Sequence, residues 1–533
     1  MGPASQMMES CFRRPRWTAL ALGVVSALGF RPLALWPLTL LALAGLVVLL
    51  ARTGRVREAL VLGWLFGWGH FTLGNSWIAT AFTYQAEMPA VLGWLAVPLL
   101  ALYLAVYPAL AAGAARALAG WGKPDADEPG TPGWPLALAF AGCWIVAEWL
   151  RAWVFTGYAW NPLGIVLLGG YAAPGLASLA PWMGTYGLSG LVALIAAGGA
   201  VLWTCRRIVP LAVVVGVLAI MPFLPTPPAR NSALPMTLVQ PDTRQHALND
   251  PKQYEAQFLR TANLSRAIGP GQKRLVLWPE SGVPDYLRDG YPQDYYTATT
   301  AAGDPAFARA RIGHAIGPDS LLMTGAVDLE IAQGQAVGAR NVVTALDGQG
   351  RIRASYAKAH LVPYGEYLPM RGLLEPLGLS RLVAGAIDFW PGPGPRTLDL
   401  GAWGQAGIQI CYEITFSGEV ADRSHRPGYI FNPSNDGWFG AWGPPQHLAQ
   451  ARLRAIEEGL PVLRATTTGI SAVIDAQGVV RHSIPQHTAQ RIDALVPAAL
   501  PPTLFARWGN TLPLCWAGVL IALALVARAR RRG

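Results

Sequence analysis

The sequence predicts a polytopic α-helical membrane region of about eight spans, with an α/β domain inserted before the last span. Three observations carry this reading. The chain is 52% hydrophobic and only 14% charged, against about 25% charged in ordinary soluble domains. Apolar runs close to the ~20 residues that cross a bilayer recur through the first 228 residues and once more near the end. Between them, residues 234–495 alternate short β-rich runs with helical stretches, which is the pattern of an α/β domain.

The apolar runs fall at 17–30, 33–51, 58–78, 90–115, 134–155, 187–204, 208–225 and 510–527. The expected boundaries are therefore a membrane region over 1–228, a soluble domain over 229–505, and a final span with a basic tail over 506–533. The first run follows Arg13, Arg14 and Arg16 as a signal peptide would. No A-x-A-like cleavage site follows it and a second apolar run does, so it is expected to be retained. The proline-rich stretch 124–135 reads as a solvated connector, and Leu224-Pro225-Thr226-Pro227-Pro228 as the linker to the soluble domain.

Orientation follows from arginine. Clusters at 13–16, 52–57 and 206–207, and the tail Arg528, Arg530, Arg531 and Arg532, all fall on one side if the chain crosses eight times. The positive-inside rule makes that side cytoplasmic. Both termini are then expected in the cytoplasm and the soluble domain outside it.

Charge also excludes a class of function. The first 230 residues hold 13 basic and 7 acidic side chains, while residues 231–510 hold 24 of each. The net charge of +10 thus belongs to the membrane regions. No basic patch is left on the soluble domain for nucleic acid.

Cysteine is sparse: Cys11, Cys143, Cys205, Cys411 and Cys515. Only Cys411 lies in the soluble domain, so a disulfide framework there is excluded. No CxxC and no Cys/His ligand spacing occurs, and no metal or cofactor is expected.

Strands are expected at 236–240, 274–278, 320–326, 341–346, 406–411, 429–431 and 471–475. Helices are expected at 251–268, 305–316 and 446–459. Three chemically suited residues sit at or beside the ends of β-like runs. Glu280, in Trp278-Pro279-Glu280-Ser281, is placed to act as a general base at a sheet edge. Lys358 is one of four lysines set against 37 arginines. A cation there stabilises an oxyanion and lowers a nearby thiol pKa, and Glu366 is placed to pair with it. Cys411 lies at the end of Gly407-Ile408-Gln409-Ile410 and offers a thiol nucleophile. The backbone N–H of Tyr412 is a candidate oxyanion donor, and Glu413 follows on the same turn. Taken singly, Trp-Pro-Glu also suits a surface turn, Lys358 a solvated face and Cys411 a packed core. His360 and His447 are expected to cap or pack, because Glu280 already supplies a base.

Taken together and in order, these segments resemble the nitrilase (carbon–nitrogen hydrolase) superfamily. The segments are Trp278-Pro279-Glu280, the run from Tyr356 through Lys358 and His360-Leu-Val-Pro-Tyr-Gly-Glu-Tyr-Leu-Pro369, and Ile410-Cys411-Tyr412-Glu413. Asn432-Pro-Ser-Asn-Asp-Gly-Trp-Phe-Gly440, Arg464-Ala-Thr-Thr-Thr-Gly469 and the flanking helices resemble its membrane-embedded apolipoprotein N-acyltransferase branch.

The resemblance implies an α/β/β/α sandwich and a Glu280–Lys358–Cys411 triad. Glu366 is then the glutamate that supports the lysine, and Tyr412 and Glu413 are supporting residues beside the nucleophile. Trp438 and Phe439 are substrate-binding aromatics. It further implies a phospholipid acyl donor, a diacylglyceryl apolipoprotein as acceptor, a thioester intermediate, and a multi-pass protein of a bacterial inner membrane with its catalytic domain in the periplasm. A monomer is expected. One departure is Asp242 in Val239-Gln240-Pro241-Asp242, where the family more often carries Asn.

Two other classes compete. A membrane-tethered amidase acting on a small amide needs only an anchor, and eight spans exceed one. A scaffold or transporter has no use for an intact triad. The one possible buried pair in its spans is Glu148 with Arg151, and Arg151 also has the option of snorkelling to the interface. The apolar stretch 367–392 is expected either to complete the domain core or to form an arm on the bilayer surface.

Overall fold

The computed structural model describes residues 13–84, 89–120, 130–221, 226, 228, 230–267, 269, 271, 273–374, 376 and 387–530. Cys11, residues 124–129 of the 124–135 connector, most of the 224–228 linker and residues 375 and 377–386 of the apolar stretch lie outside them. Contacts divide the chain into two units. One comprises residues 1–79, 90–226 and 503–533, and the other residues 80–89 and 227–502.

The first unit is helical: α1 Pro15–Ala27, α2 Trp36–Ala51, α3 Val56–Gly74, α4 Val91–Leu104, α5 Val106–Ala119, α6 Trp134–Trp153, α7 Ala180–Thr204 and α8 Ile208–Ile220, with a C-terminal helix at Thr511–Arg530. Among the described residues, Val91–Ala119, Trp134–Trp153, Leu176–Thr204 and Thr511–Arg530 are long and apolar enough to cross a membrane. The helices α2 and α8 are apolar but shorter.

Glycine makes the helix crossings close. A Cβ on Gly23 of α1 would lie 2.0 Å from the Phe66 carbonyl oxygen of α3, and one on Gly69 of α3 2.4 Å from that of Leu20. In lipid, apolar side chains gain little by leaving one apolar phase for another, so such backbone contact supplies the packing. Glu148 and Arg151 of α6 are both buried, and Arg151 does not snorkel. The Glu148 carboxylate accepts from the Leu163 N–H at 2.8 Å, and Arg151 Nη1 donates to the Trp160 carbonyl at 3.0 Å. Each satisfies backbone that would otherwise be stranded in apolar surroundings.

The second unit holds two six-stranded sheets. The first has the order β12-β1-β2-β3-β4-β5 and the second β11-β10-β9-β8-β7-β6. Their strands are β1 Asn231–Gln240, β2 Arg274–Leu277, β3 Ser320–Ala332, β4 Gln335–Asp347, β5 Ile352–Ala357, β6 Thr397–Asp399, β7 Gln405–Ile408, β8 Tyr429–Ser434, β9 Val462–Thr466, β10 Ser471–Ile474, β11 Val480–Ile484 and β12 Gln490–Pro497. The central strands β1, β2 and β3 run parallel, as do β7, β8 and β9.

Side-chain alternation builds four layers. Leu275 and Leu277 of β2 pack with Met323, Ile408, Phe431 and Leu463, which closes one sheet on the other. Val276, between them, faces the opposite way and joins Ile312 and Ile316 of α10 (Pro305–Ile316), with Phe258 of α9 (Tyr254–Leu264) packed alongside. On the far face of the second sheet, Ile430, Val462 and Ile474 meet Leu448, Ala451 and Ala455 of α11 (Gly443–Glu458). Period-two alternation in buried strands thus gives helix, sheet, sheet, helix, the expected α/β/β/α sandwich.

The apolar stretch after Glu366 divides. Leu368 is buried. Trp390 lies against Gly338, where a Cβ would come within 2.4 Å of the indole, and its backbone N–H donates to the Ala339 carbonyl at 2.7 Å. Met370 and Leu373 are exposed. Leu368 thus packs into the domain, while Trp390, Met370 and Leu373 lie exposed on its surface.

Candidate active site

The sheets bring the three candidate residues to one edge. Strand β2 continues through Trp278, whose N–H donates to the Met323 carbonyl at 3.0 Å, and Pro279, whose carbonyl accepts from the Gly325 N–H at 3.1 Å. The next residue is Glu280, which is buried. Only glycine fits at 325, because a Cβ there would lie 2.6 Å from Glu280 Cα.

Lys358 directly follows β5 and is 1% exposed. Its N–H donates to the Asn341 carbonyl at 2.9 Å, which sets it beside β4. The ammonium reaches Glu366 Oε1 at 3.0 Å and Glu280 Oε1 at 3.6 Å. Asn341 binds the same two oxygens, its Nδ2 donating to Glu280 at 2.7 Å and to Glu366 at 2.9 Å. The other Glu366 oxygen accepts from the Val362 N–H at 2.7 Å, so the short loop 362–366 holds its own carboxylate. Burial pulls the Lys358 pKa down, but Glu366 and Glu280 together outweigh it and hold the ammonium protonated.

Cys411 lies beyond β7, which ends at Ile408, and opens a short 3-10 turn, Cys411–Thr415. It is buried and has φ +52°, a left-handed conformation that non-glycine residues rarely adopt. Burial pushes its thiol well up, and Glu280 adds to this, while Lys358 pulls down. The lysine thus acts in the expected direction without winning: the resting group is a thiol, and it needs a base.

Glu413, on the same turn, ties the lysine and cysteine segments together. Its carboxylate accepts from the Ile410 N–H (2.7 Å), the Ala359 N–H (2.7 Å), the His360 N–H (3.2 Å) and the Tyr356 hydroxyl (2.9 Å). Burial pushes its pKa up to about 7 against these donors and Lys358. Tyr412 is buried, with its ring edge-on to Phe416 at 5.0 Å.

Sequence reasoning gave no individual role to several groups that the fold places here. Asn341 is one. Asn435 is another: its backbone N–H donates to Glu280 Oε2 at 2.8 Å, and its side chain is fixed by Gln245 at 2.8 Å and Thr467 at 2.8 Å. A third is His447, expected only to cap or pack. It is fully buried, and its Nε2 lies 3.0 Å from the Cys411 carbonyl. Its Nδ1 lies 3.0 Å from Asp436 Oδ1, and Arg464 bridges both Asp436 oxygens at 2.8 and 2.7 Å. The signal was present in the segments Asn432–Gly440 and Arg464–Gly469, whose polar residues face one another across β8 and β9. Gly469 is required beside them, because a Cβ would lie 2.3 Å from Asp436 Oδ2. Asp242, the departure expected in the opening strand, lies just beyond β1, with φ +53°, and pairs with Arg244 at 3.0 Å.

The two aromatics differ. Trp438 is half-buried and meets Tyr84 edge-to-face at 5.8 Å, a partner from residues 80–89 of the same unit. Phe439 packs on the core between the sheets and lies 5.7 Å from the His447 ring. A cavity of about 250 Å³ opens beside this loop, lined by Tyr84, Arg244, Gly437, Gly440, Thr468 and His487 among others.

Comparison with known proteins gives consistent matches for both halves of the chain. Residues 22–198 match the family model of the apolipoprotein N-acyltransferase N-terminal domain, and residues 237–501 that of carbon–nitrogen hydrolase. An apolipoprotein N-acyltransferase of Bradyrhizobium diazoefficiens is 35% identical, covering 96% of this chain and 94% of that protein. One from Rhodopseudomonas palustris is 34% identical over 95% and 93%. Among solved structures, a carbon–nitrogen hydrolase from Helicobacter pylori G27 aligns at 15% identity and a TM-score of 0.35, over 49% of this chain and 88% of that one.

The shared donor of Glu280 and Glu366 makes a prediction. Asn341→Asp keeps the size of the side chain but sets a third carboxylate against one lysine. Labelling of Cys411 by iodoacetamide, followed by peptide mass spectrometry, is expected to slow roughly 100-fold, the scale of a lost general base. Labelling at the wild-type rate would show that Asn341 does not control the base.

Proposed function

The chain belongs to the apolipoprotein N-acyltransferase family, and we propose that Glu280, Lys358 and Cys411 are its catalytic residues, carrying an acyl chain through a Cys411 thioester. The observation that supports this most is the buried cluster in which one ammonium lies within reach of two carboxylates, with Cys411 buried at the same sheet edge.

In the first half-reaction, Glu280 takes the Sγ proton as the thiolate attacks the ester carbonyl of a phospholipid. Lys358 faces the charge that develops on the carbonyl oxygen, and the Tyr412 N–H is a second candidate donor. The tetrahedral intermediate collapses, the glycerol alkoxide leaves with the proton from Glu280, and a thioester remains. In the second, the α-amine of a diacylglyceryl-cysteine attacks that thioester. Glu280 accepts the amine proton and returns it to the departing Cys411 sulfur. The product is an amide, lower in free energy than the thioester, so the transfer needs no coupled hydrolysis. Water must be excluded in the interval. Glu366 keeps Lys358 in place, Glu413 fixes the turn that carries the thiol, and Trp438 with Phe439 lines the substrate cleft. The bilayer supplies the donor, and the acceptor is a lipoprotein.

Intact-protein mass spectrometry after incubation with phospholipid vesicles tests this. The wild type is expected to gain one acyl mass and to lose it when a diacylglyceryl-cysteine peptide is added. Cys411→Ala is expected to gain none. An adduct on the Ala variant would remove Cys411 as the nucleophile. A wild-type adduct formed only from small amides, and discharged only to water, would favour the amidase.

The arginine clusters support eight spans, cytoplasmic termini and a periplasmic catalytic domain. A reporter that is active only after export, fused after Thr226, is expected to be active. Activity only of a cytoplasmic reporter at that position would reverse the topology and exclude a lipoprotein acceptor.

A further inference from the structure

Cys411 holds a left-handed backbone, at φ +52°, without being glycine. Such a conformation persists only where surrounding structure over-determines it. Here the constraint lies on the carbonyl side. The Cys411 carbonyl turns into the core, and His447 Nε2 faces it at 3.0 Å. A carbonyl only accepts, so Nε2 carries the proton. Asn432 Nδ2 is more distant from that oxygen, at 3.5 Å, and spends its strong bond on the Gln409 carbonyl at 2.6 Å. His447 is therefore the principal donor to the carbonyl of the nucleophile.

The imidazole is itself fixed from behind. Arg464 Nη2 lies 3.0 Å from Nδ1 and bridges both oxygens of Asp436, and its Nη1 donates to Ser434 Oγ at 2.9 Å. The side chains of Asp436, His447 and Arg464 are all 0% exposed. Burying three ionisable groups is costly unless their mutual attraction and hydrogen bonds offset it, and here Arg464, Asp436 and His447 satisfy one another. The hydrogen bond from this network reaches Cys411 at its main-chain carbonyl, while the Asp436 carboxylate also adds to the upward pull on the thiol.

We propose that His447, oriented by Asp436 and Arg464, is a positioning residue for the nucleophile: its Nε2–H holds the Cys411 carbonyl and so fixes the backbone that aims the thiol at Glu280 and Lys358. The inference rests on Cys411 being the acylated residue.

Two polar substitutions separate this role from simple core packing. Glutamine at 447 reaches the position of Nε2 and can still donate to the carbonyl. Asparagine reaches only as far as Nδ1 and cannot. The full-length protein in phospholipid nanodiscs is assayed for the rate of acyl-adduct formation on Cys411, below the thermal transition of both variants. His447→Asn is expected to acylate roughly 100-fold more slowly than wild type, the scale of a displaced reacting group, and His447→Gln to stay within about threefold. Equal rates for the two variants overturn the proposal. So does failure of either to fold, because the network then stabilises the core rather than the nucleophile. If the wild type itself gains no acyl group, the thioester reading fails instead, and the two failures are told apart by that control.

Discussion

A buried lysine is the constraint on which the rest of the catalytic unit depends. The Lys358 ammonium is withdrawn from water, and a lone charge in such a place would give up its proton or unfold the site. It stays charged because Glu366 and Glu280 both face it. Those two carboxylates would repel one another, and Asn341 stands between them as a shared donor. Removing one partner of such a buried set typically costs about 3–5 kcal/mol. Each member is thus needed by the others, and the cluster is fixed before any substrate arrives.

The sandwich delivers these groups because of where its strands end. Glu280, Cys411 and Asn435 follow parallel strands of the two facing sheets, at their C-terminal edges, and Lys358 follows a strand of the first. Glu413 then joins the Cys411 turn to the Lys358 segment through four donors. Positive φ at Ser281 and Cys411 marks the points where the chain leaves its strand sharply to present a functional group.

Legibility in the sequence followed the same logic. The triad residues could be read because each stands at or beside the end of an apolar β-like run. Glu366 could be read from its closeness to Lys358. Asn341 could not be picked out, because its importance depends on the pairing of β4 with β5, which no local pattern encodes. Strand β5, Ile-Arg-Ala-Ser-Tyr-Ala, is legible only as a β-like run before Lys358, without bounds, because its two exposed residues, Ile352 and Arg353, break the alternation at its start. Strand β9 was missed because Arg464 interrupts an apolar run, and its charge is answered by Asp436 from the neighbouring loop. His447 looked like a helix-start residue, and it is one, but the turn that packs against it carries the nucleophile. In the membrane unit the apolar runs were plain. The glycine crossings were not, since a glycine in an apolar helix gives no sign of which helix it meets.

The central claim is that Lys358 and Glu366 act as one unit on the thiol. A double-mutant cycle on the rate of Cys411 acylation tests it most directly, using Lys358→Met, Glu366→Gln and the two together. If Glu366 works by holding Lys358, the double variant will be no slower than Lys358→Met alone, because the second loss removes a support whose object is already gone. If the two losses multiply, Glu366 acts independently of the lysine, and the account of a single interlocked cluster is wrong.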